Sequence, residues 1–198
     1  MCGIVGYSGS NSKAVEILLE GLEKLEYRGY DSAGIAFVTK DGIHIEKKEG
    51  KLENLKNHMK GTNYSSFLGI GHTRWATHGV PTDRNSHPHY SENGDVAVVH
   101  NGIIENYAEI KKELQDQGVK FSSDTDTEVV AQLYSKLFDG DLYSTFKKVL
   151  KRIRGTYAFA IIHKDFPDKM ICSRSHSPLI VGLGKEQNFI ASDVSAIL

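Results

Sequence analysis

The sequence predicts a single domain in which helices pack in layers on β-sheets, and three observations lead to this interpretation. The chain has 198 residues, enough to bury the core of one domain. Apolar residues make up 39% of it and charged residues 25%, as is usual for a globular protein. Segments with strand and helix periodicity follow in the order strand, helix, strands, helices, strands. This order favours layered helix and sheet, although periodicity alone leaves the topology open.

The first half of the chain is predicted to contain four strands and two helices. Leucine and valine side chains at helical spacing predict an amphipathic helix over residues 13–27, and a shorter helix follows at 51–60. The Asp41-Gly42 pair predicts a hairpin turn. A loop dense in histidine, threonine, asparagine and proline is expected over residues 72–89. The predicted strands are 3–7, 34–38, 43–47 and 67–71.

The second half begins with a strand predicted over residues 95–100 that ends at Asn101-Gly102. Thr125, with Glu128 three residues later, makes a capping box possible at the start of a helix. The predicted helices are 106–117, 126–138 and 142–153, and the later strands are 156–163, 169–173, 179–182 and 189–191.

Composition and charge exclude several classes of function. The formal net charge of −1 gives no electrostatic case for binding nucleic acid or an acidic membrane surface. The apolar runs are too short to span a bilayer, and the N-terminal residues do not have the pattern of a secretory signal. Two cysteines are too few for a disulfide framework, so a cytoplasmic location is expected. Cys172 lies in a predicted strand and is expected to be buried and inert.

Cys2 is a candidate nucleophile because of its position. A thiol attacks as the thiolate and needs a nearby base. An N-terminal cysteine carries its own base, the α-amine, whose ordinary pKa is about 7.7–8.0. Removal of Met1 would expose that amine. The alternative is that a cysteine occupies the second position by chance.

Three further segments carry polar groups suited to chemistry. Arg74, after the strand at 67–71, can grip a carboxylate with two hydrogen bonds, although a solvated loop is the alternative. Asn101 and Gly102 offer a side-chain amide and a backbone N–H to an oxyanion, or simply form a turn. The acidic segment 123–128 either begins a helix or supplies a carboxylate that holds an ammonium group.

A metal site is a weaker interpretation. Histidines at positions 72, 78, 87, 89 and 100 suggest zinc, but their spacing matches neither a closed structural site nor a His-Glu-x-x-His motif. The segment 123–128 lacks the glycine and the later glutamate of a calcium-binding EF-hand loop. We therefore expect no metal and no other cofactor.

Together these segments resemble the class II glutamine amidotransferases, a family of N-terminal nucleophile hydrolases. The matching stretches run nearly from end to end, over residues 2–6, 25–34, 71–79, 85–89, 100–106, 125–128 and 177–179. Tyr30 and the motif His-Thr-Arg-Trp-Ala-Thr at 72–77 are similar to the branch of glutamine–fructose-6-phosphate aminotransferases (glucosamine-6-phosphate synthases) rather than to the purine-pathway branch. The resemblance implies an α+β fold, a four-layer αββα sandwich of the N-terminal nucleophile hydrolase type.

The resemblance also implies catalytic roles. Cys2 would be the nucleophile, with its own α-amine as general base and then acid. The Asn101 side-chain amide and the Gly102 N–H would form the oxyanion hole. Arg28 matches an arginine that supports this hole.

For the substrate L-glutamine, the resemblance implies that Arg74 pairs with the α-carboxylate, helped by Thr77 and His78. Asp126 would hold the α-ammonium group, and Trp75 belongs to a loop that closes over glutamine. The implied reaction is hydrolysis of glutamine to glutamate and ammonia through a glutamyl thioester on Cys2.

The family pattern further implies that residues 1–198 are a glutamine amidotransferase type 2 domain truncated at its C-terminus. In the longer enzyme, C-terminal sugar isomerase domains would bind fructose 6-phosphate and use the ammonia to make glucosamine 6-phosphate, and the full-length chain would form a homodimer. Three alternatives stay open: a silent domain that binds glutamine or glutamate, the glutaminase domain of another class II amidotransferase, or a related hydrolase acting on a different amide.

Overall fold

The computed structural model describes residues 2–75 and 80–197. The strands are β1 (Gly3–Gly9), β2 (Ser32–Thr39), β3 (Gly42–Glu49), β4 (Leu68–Arg74), β5 (His89–Tyr90), β6 (Val96–Ile104), β7 (Gly155–His163), β8 (Met170–Ser175), β9 (Ile180–Gly184) and β10 (Gln187–Ala191). The helices are α1 (Ala14–Leu25), α2 (Leu52–His58), α3 (Tyr107–Asp116), α4 (Glu128–Leu137) and α5 (Leu142–Arg152), with short 3₁₀ turns at Glu26–Arg28 and Val194–Ala196.

The strands form two sheets with antiparallel neighbours. The larger sheet has six strands in the order β3-β2-β4-β1-β10-β9, and the smaller has four in the order β5-β6-β7-β8. The first strand lies in the middle of the larger sheet, where Val5 pairs with Gly71 on β4 and with Ala191 on β10. Cys2 therefore enters the molecule at the end of a central strand.

Three separate apolar clusters show that the molecule has four layers. One lies between α1, α2 and the six-stranded sheet and contains Leu18 and Phe37. A second lies between the two sheets and contains Ile70 and Val99. The third lies between the four-stranded sheet and α3–α5, around Phe159. The order is helix, sheet, sheet, helix, so the predicted four-layer αββα sandwich is confirmed. Among the described residues no helix is long and apolar enough to cross a membrane.

Alternation along the strands decides which side chains face the other sheet, because residues two apart share a face. On β4 the apolar row of Leu68 and Ile70 is continued by His72. On β6 the row of Ala97 and Val99 is continued by Asn101. Each row is apolar in the middle of the sandwich and becomes polar toward the same end, so the two polar side chains face one another.

The predicted element ends were wrong at this polar end. β4 continues through His72 to Arg74, which pairs with Ser32, and β6 continues past Asn101-Gly102 to Ile104. Pairing with neighbouring strands holds these polar residues in extended form, although their composition is typical of loops. The short strand β5 was not predicted.

The predicted capping box is also wrong. α4 begins at Glu128, and no side chain caps its N-terminus. The Thr125 hydroxyl instead contacts His89 Nε2 at 3.0 Å. The Glu128 carboxylate reaches back to accept hydrogen bonds from the backbone N–H groups of Ser122 and Ser123.

Candidate active site

The polar end of the sandwich encloses a cavity of about 510 Å³. The predicted site residues that line it are Cys2, Arg28, Arg74, Trp75, Asn101, Gly102 and Asp126. They lie directly before β1, at and just after the end of β4, on β6 and in the segments before β2 and α4, so the fold brings together positions that are far apart in the sequence. Thr77 and His78, which the sequence also indicates, lie outside the described residues.

Cys2 is partly buried, and its sulfur lies against the backbone of Trp75. The Trp75 N–H donates to Cys2 Sγ at 3.2 Å, and Sγ lies 3.5 Å from the Trp75 carbonyl oxygen. Burial raises the pKa of the Cys2 thiol, while the Trp75 N–H and the nearby Arg74 guanidinium oppose that rise with smaller effects. The thiol is therefore protonated at neutral pH and requires a base before it can attack.

The Asn101 side chain lies beside the backbone of this cysteine. Its Nδ2 donates to the Cys2 carbonyl oxygen at 3.1 Å, while its Oδ1 lies 3.0 Å from His72 Nε2. A primary amide nitrogen carries two hydrogens. One holds the Cys2 carbonyl, and the other is available to a group bound in the cavity.

Gly102, the next residue on β6, must be a glycine. Its φ of +132° is one that residues with side chains rarely adopt, and a Cβ would lie 2.0 Å from the Thr156 carbonyl oxygen. The neighbouring strand therefore comes close because no side chain is present, and the Gly102 backbone lines the cavity.

Two arginines lie in the wall of the cavity. Arg74 is buried, and its Nη1 lies 3.8 Å from Asp31 Oδ1. Arg28 Nη1 donates to Ser192 Oγ at 3.3 Å, and this hydroxyl also accepts a hydrogen bond from the Ile4 N–H at 3.0 Å. Arg28 thus connects the turn after β10 to the start of β1, two residues beyond the candidate nucleophile.

Asp126 is buried in the wall of the same cavity. Its Oδ2 accepts a hydrogen bond from the Ile104 N–H at 2.7 Å, which ties the carboxylate to the end of β6. Because α4 begins two residues later and Thr127 is its N-cap residue, Asp126 does not cap that helix. The simplest alternative to a ligand role is therefore absent, although the bond to Ile104 gives the carboxylate a structural role as well.

Four buried histidines lie in or beside the cavity wall: His72, His87, His89 and His100. The rings of His72 and His87 stack with centroids 4.2 Å apart. Burial lowers the pKa of His72 to about 3 and holds the pKa values of His87 and His89 well below their usual range. Within residues 2–75 and 80–197, no group of three or more histidine, cysteine, aspartate or glutamate side chains is placed to hold a metal ion.

Several residues of the cavity wall were given no catalytic or substrate-binding role in the sequence interpretation: His87, His100, Ile103, Thr125, Thr127, Thr156, Ser177 and Pro178. Ser177 and Pro178 belong to a matched stretch of the family pattern, which was the available signal for them. His100 lies on the helix-facing side of β6, where Thr127 Oγ1 is 2.9 Å from its Nδ1. Only the alternation of side chains along the strand could have indicated that placement.

Comparison with known proteins now identifies the family. A family model described as a glutamine amidotransferase domain matches residues 72–198. The chain belongs to the glutamine amidotransferase domain family. The resemblance inferred from the sequence motifs is therefore confirmed.

Two curated relatives of this amidotransferase domain are named glutamine–fructose-6-phosphate aminotransferase [isomerizing]. The protein from Fusobacterium nucleatum is 84% identical over 198 residues, which is 100% of this chain and 33% of the relative. The protein from Aquifex aeolicus is 54% identical over the same 198 residues and 33% of its own length. The amidotransferase domain thus spans about a third of the length of the curated relatives it matches.

A solved structure confirms the fold of the amidotransferase domain. Glutamine phosphoribosylpyrophosphate amidotransferase from B. subtilis, complexed with ADP and GMP, superposes with a TM-score of 0.84 at 29% identity. The match covers 99% of this chain and 43% of the B. subtilis chain.

Proposed function

We propose that this domain hydrolyses L-glutamine to glutamate and ammonia, with Cys2 as the nucleophile once Met1 has been removed. The observation that carries the proposal is the grouping of Cys2 Sγ, the Asn101 amide, Arg74 and Asp126 around one cavity. A nucleophile, an oxyanion donor, a cation and an anion are the groups that an amide with a zwitterionic end requires.

The chemistry begins with the buried thiol. Because burial raises its pKa, the thiol needs a base, and the α-amine of Cys2 can accept its proton directly or through one water. The thiolate attacks the side-chain amide carbon of glutamine, forming a C–S bond and placing the negative charge on oxygen. The second hydrogen of Asn101 Nδ2 and the Gly102 N–H donate to that oxyanion. Collapse breaks the C–N bond, and the protonated α-amine returns its proton to the departing ammonia.

Water then attacks the resulting glutamyl thioester, glutamate is released, and the Cys2 thiol is regenerated. No metal or other cofactor takes part in this sequence. Glutamine is oriented by its two charges, with Arg74 on the α-carboxylate and Asp126 on the α-ammonium group. Thr77 and His78 complete the carboxylate contacts in this proposal. Trp75, whose side chain is 53% exposed at the cavity, closes over the bound substrate.

In a longer chain the released ammonia would serve a second site. The names of the two curated relatives support transfer of this ammonia to fructose 6-phosphate, with glucosamine 6-phosphate as the product. The family resemblance of the sequence further suggests C-terminal sugar isomerase domains, a homodimeric assembly and a cytoplasmic location, and we include these in the proposal. The motif at residues 72–77 supports the same branch of the family.

The first experiment measures glutamate release by the 198-residue chain after intact-mass analysis has established that Met1 is absent. We expect Cys2→Ala to abolish hydrolysis while calorimetry still detects glutamine binding. Cys172→Ala is the matched control, since this half-buried thiol lies outside the cavity, and it should keep its activity. Equal losses in both variants would contradict the assignment of Cys2. Binding of glutamine without hydrolysis by the parent chain would favour a silent binding domain.

A further inference from the structure

We propose that His72 is a positioning residue whose ring N–H fixes the orientation of the Asn101 amide, so that the amide N–H₂ group, and not its oxygen, faces the reacting centre. His72 is 1% exposed and lies on β4, in the sheet opposite Asn101. The inference rests on the proposed function for its catalytic meaning, but its structural content can be tested separately.

The hydrogen-bond geometry determines which nitrogen of His72 carries the proton. His72 Nε2 lies 3.0 Å from the His100 carbonyl oxygen and 3.0 Å from Asn101 Oδ1. A carbonyl oxygen can only accept a hydrogen bond, so Nε2 must be the protonated nitrogen. The two contacts then share one N–H.

This assignment in turn determines the orientation of the amide. A protonated Nε2 can only donate, so the amide atom that faces it must be the oxygen of Asn101. The Asn101 nitrogen therefore faces Cys2, whose carbonyl oxygen lies 3.1 Å away. A flipped amide would place two donors together at His72 and two oxygens together at Cys2, and it would lose the oxyanion donor.

The environment of His72 keeps this arrangement in one state. The ring is stacked on His87 with an interplanar angle of 16°, and Nδ1 has no hydrogen-bond partner among the described residues. Burial, with the positive charge of Arg74 nearby, keeps the imidazole neutral throughout the pH range in which the enzyme would work. Neither a tautomer change nor protonation therefore competes with donation to Asn101.

The kinetic test uses His72→Leu, which removes the N–H but retains an apolar side chain. We expect kcat for glutamine hydrolysis to fall about ten- to a hundred-fold with little change in KM, because an oxyanion donor acts mainly in the transition state. His72→Gln, whose amide can still donate, should recover part of the loss. His163→Leu is the matched control, because His163 is an equally buried histidine at the far end of β7. It should lower stability without lowering kcat in the folded fraction.

A double-mutant cycle separates positioning from general packing. If His72 acts through Asn101, His72→Leu should have no further effect on kcat in an Asn101→Ala background. Losses that multiply in the double variant would overturn the proposal.

Nitrogen NMR of the unmodified 198-residue chain provides a readout that needs neither activity nor a variant that folds. The ring nitrogen chemical shifts of His72 should report protonation at Nε2. They should stay constant from about pH 5 to about pH 9, a range of about two pH units on either side of neutrality. Protonation at Nδ1, or a mid-point near that of a free histidine, would overturn the proposal. If the parent chain fails to hydrolyse glutamine while His72 shows the expected tautomer, the proposed function has failed and the positioning inference has not.

Discussion

The layer between the two sheets has two contrasting ends. In the middle of the sandwich it is aliphatic, with side chains such as Ile70 and Val99 that contact one another without any required direction. Toward Cys2 it consists of His72, His87 and Asn101, whose contacts depend on which atom donates and which accepts. Apolar packing tolerates small adjustments, whereas a buried donor that faces a donor is costly. The aliphatic region therefore stabilises the fold, and the polar region fixes the positions of individual atoms.

The largest effect should come from Gly102→Ala at the polar end. The new Cβ would lie 2.0 Å from a backbone oxygen at a φ of +132°, and no side-chain rotation can relieve that contact. We expect the free energy of unfolding to fall by about 3–5 kcal/mol and glutamine hydrolysis to be lost. Urea unfolding and glutamate release measure the two effects.

Gly94→Ala is the matched control for backbone conformation alone. Gly94 also has a positive φ, +75°, but nothing lies within 4 Å of its Cβ position. Its substitution should cost about 1–2 kcal/mol and leave activity intact. A loss as large as that of Gly102→Ala would show that conformation, and not the close approach of Thr156, is the decisive factor.

Asp126→Asn is expected to have the next largest effect, and on binding rather than stability. The asparagine oxygen can still accept the Ile104 N–H, so the melting temperature should stay near that of the unmodified protein. Loss of the negative charge should weaken glutamine binding by about 2–5 kcal/mol if the site is closed and dry. Calorimetric titration tests this. Asp124→Asn, at an exposed neighbour paired with Arg84, is the control and should bind normally.

The pH dependence of stability distinguishes the two ends further. The pKa values of His72, His87 and His89 in the folded chain lie below the value of 6.5 expected in the unfolded chain. As the pH falls, the unfolded chain therefore binds more protons than the folded chain does. The contribution of these histidines to the free energy of unfolding is therefore fully present above about pH 6.5. Below that pH it decreases, by up to about 1.4 kcal/mol per pH unit for each histidine. Urea unfolding between pH 7 and pH 5, at about half-unit steps, should give a shallower slope for His89→Leu. An unchanged slope would exclude His89 from this effect.

The smallest effect should come from Ile70→Val at the aliphatic region. Deleting one buried methylene group is expected to lower the free energy of unfolding by about 0.5–1.5 kcal/mol. Neither kcat nor KM for glutamine should change, because the contacts of Ile70 do not orient any group of the site. A change in kcat greater than about twofold would mean that the two regions are mechanically coupled.

Through its motifs the sequence predicted the family, and through the family resemblance it predicted the four layers and seven of the residues that line the cavity. It did not predict that residues 72–74 and 101–104 are strand, since their extended conformation depends on partners elsewhere in the chain. The contact of His72 with Asn101 was missed for a related reason. Each residue belongs to a different sheet, and only the packing of the two sheets brings the side chains together.

The central position of β1 also affects when the site can form during synthesis. β1 pairs on one side with β10, so that Val5 lies opposite Ala191, and the Ile4 N–H bonds to Ser192 Oγ. During synthesis Cys2 is translated well before β10 and Ser192, so β1 lacks this neighbour until residue 192 has been made. The strand that follows the proposed nucleophile is thus fully paired only after nearly all of these 198 residues have been translated.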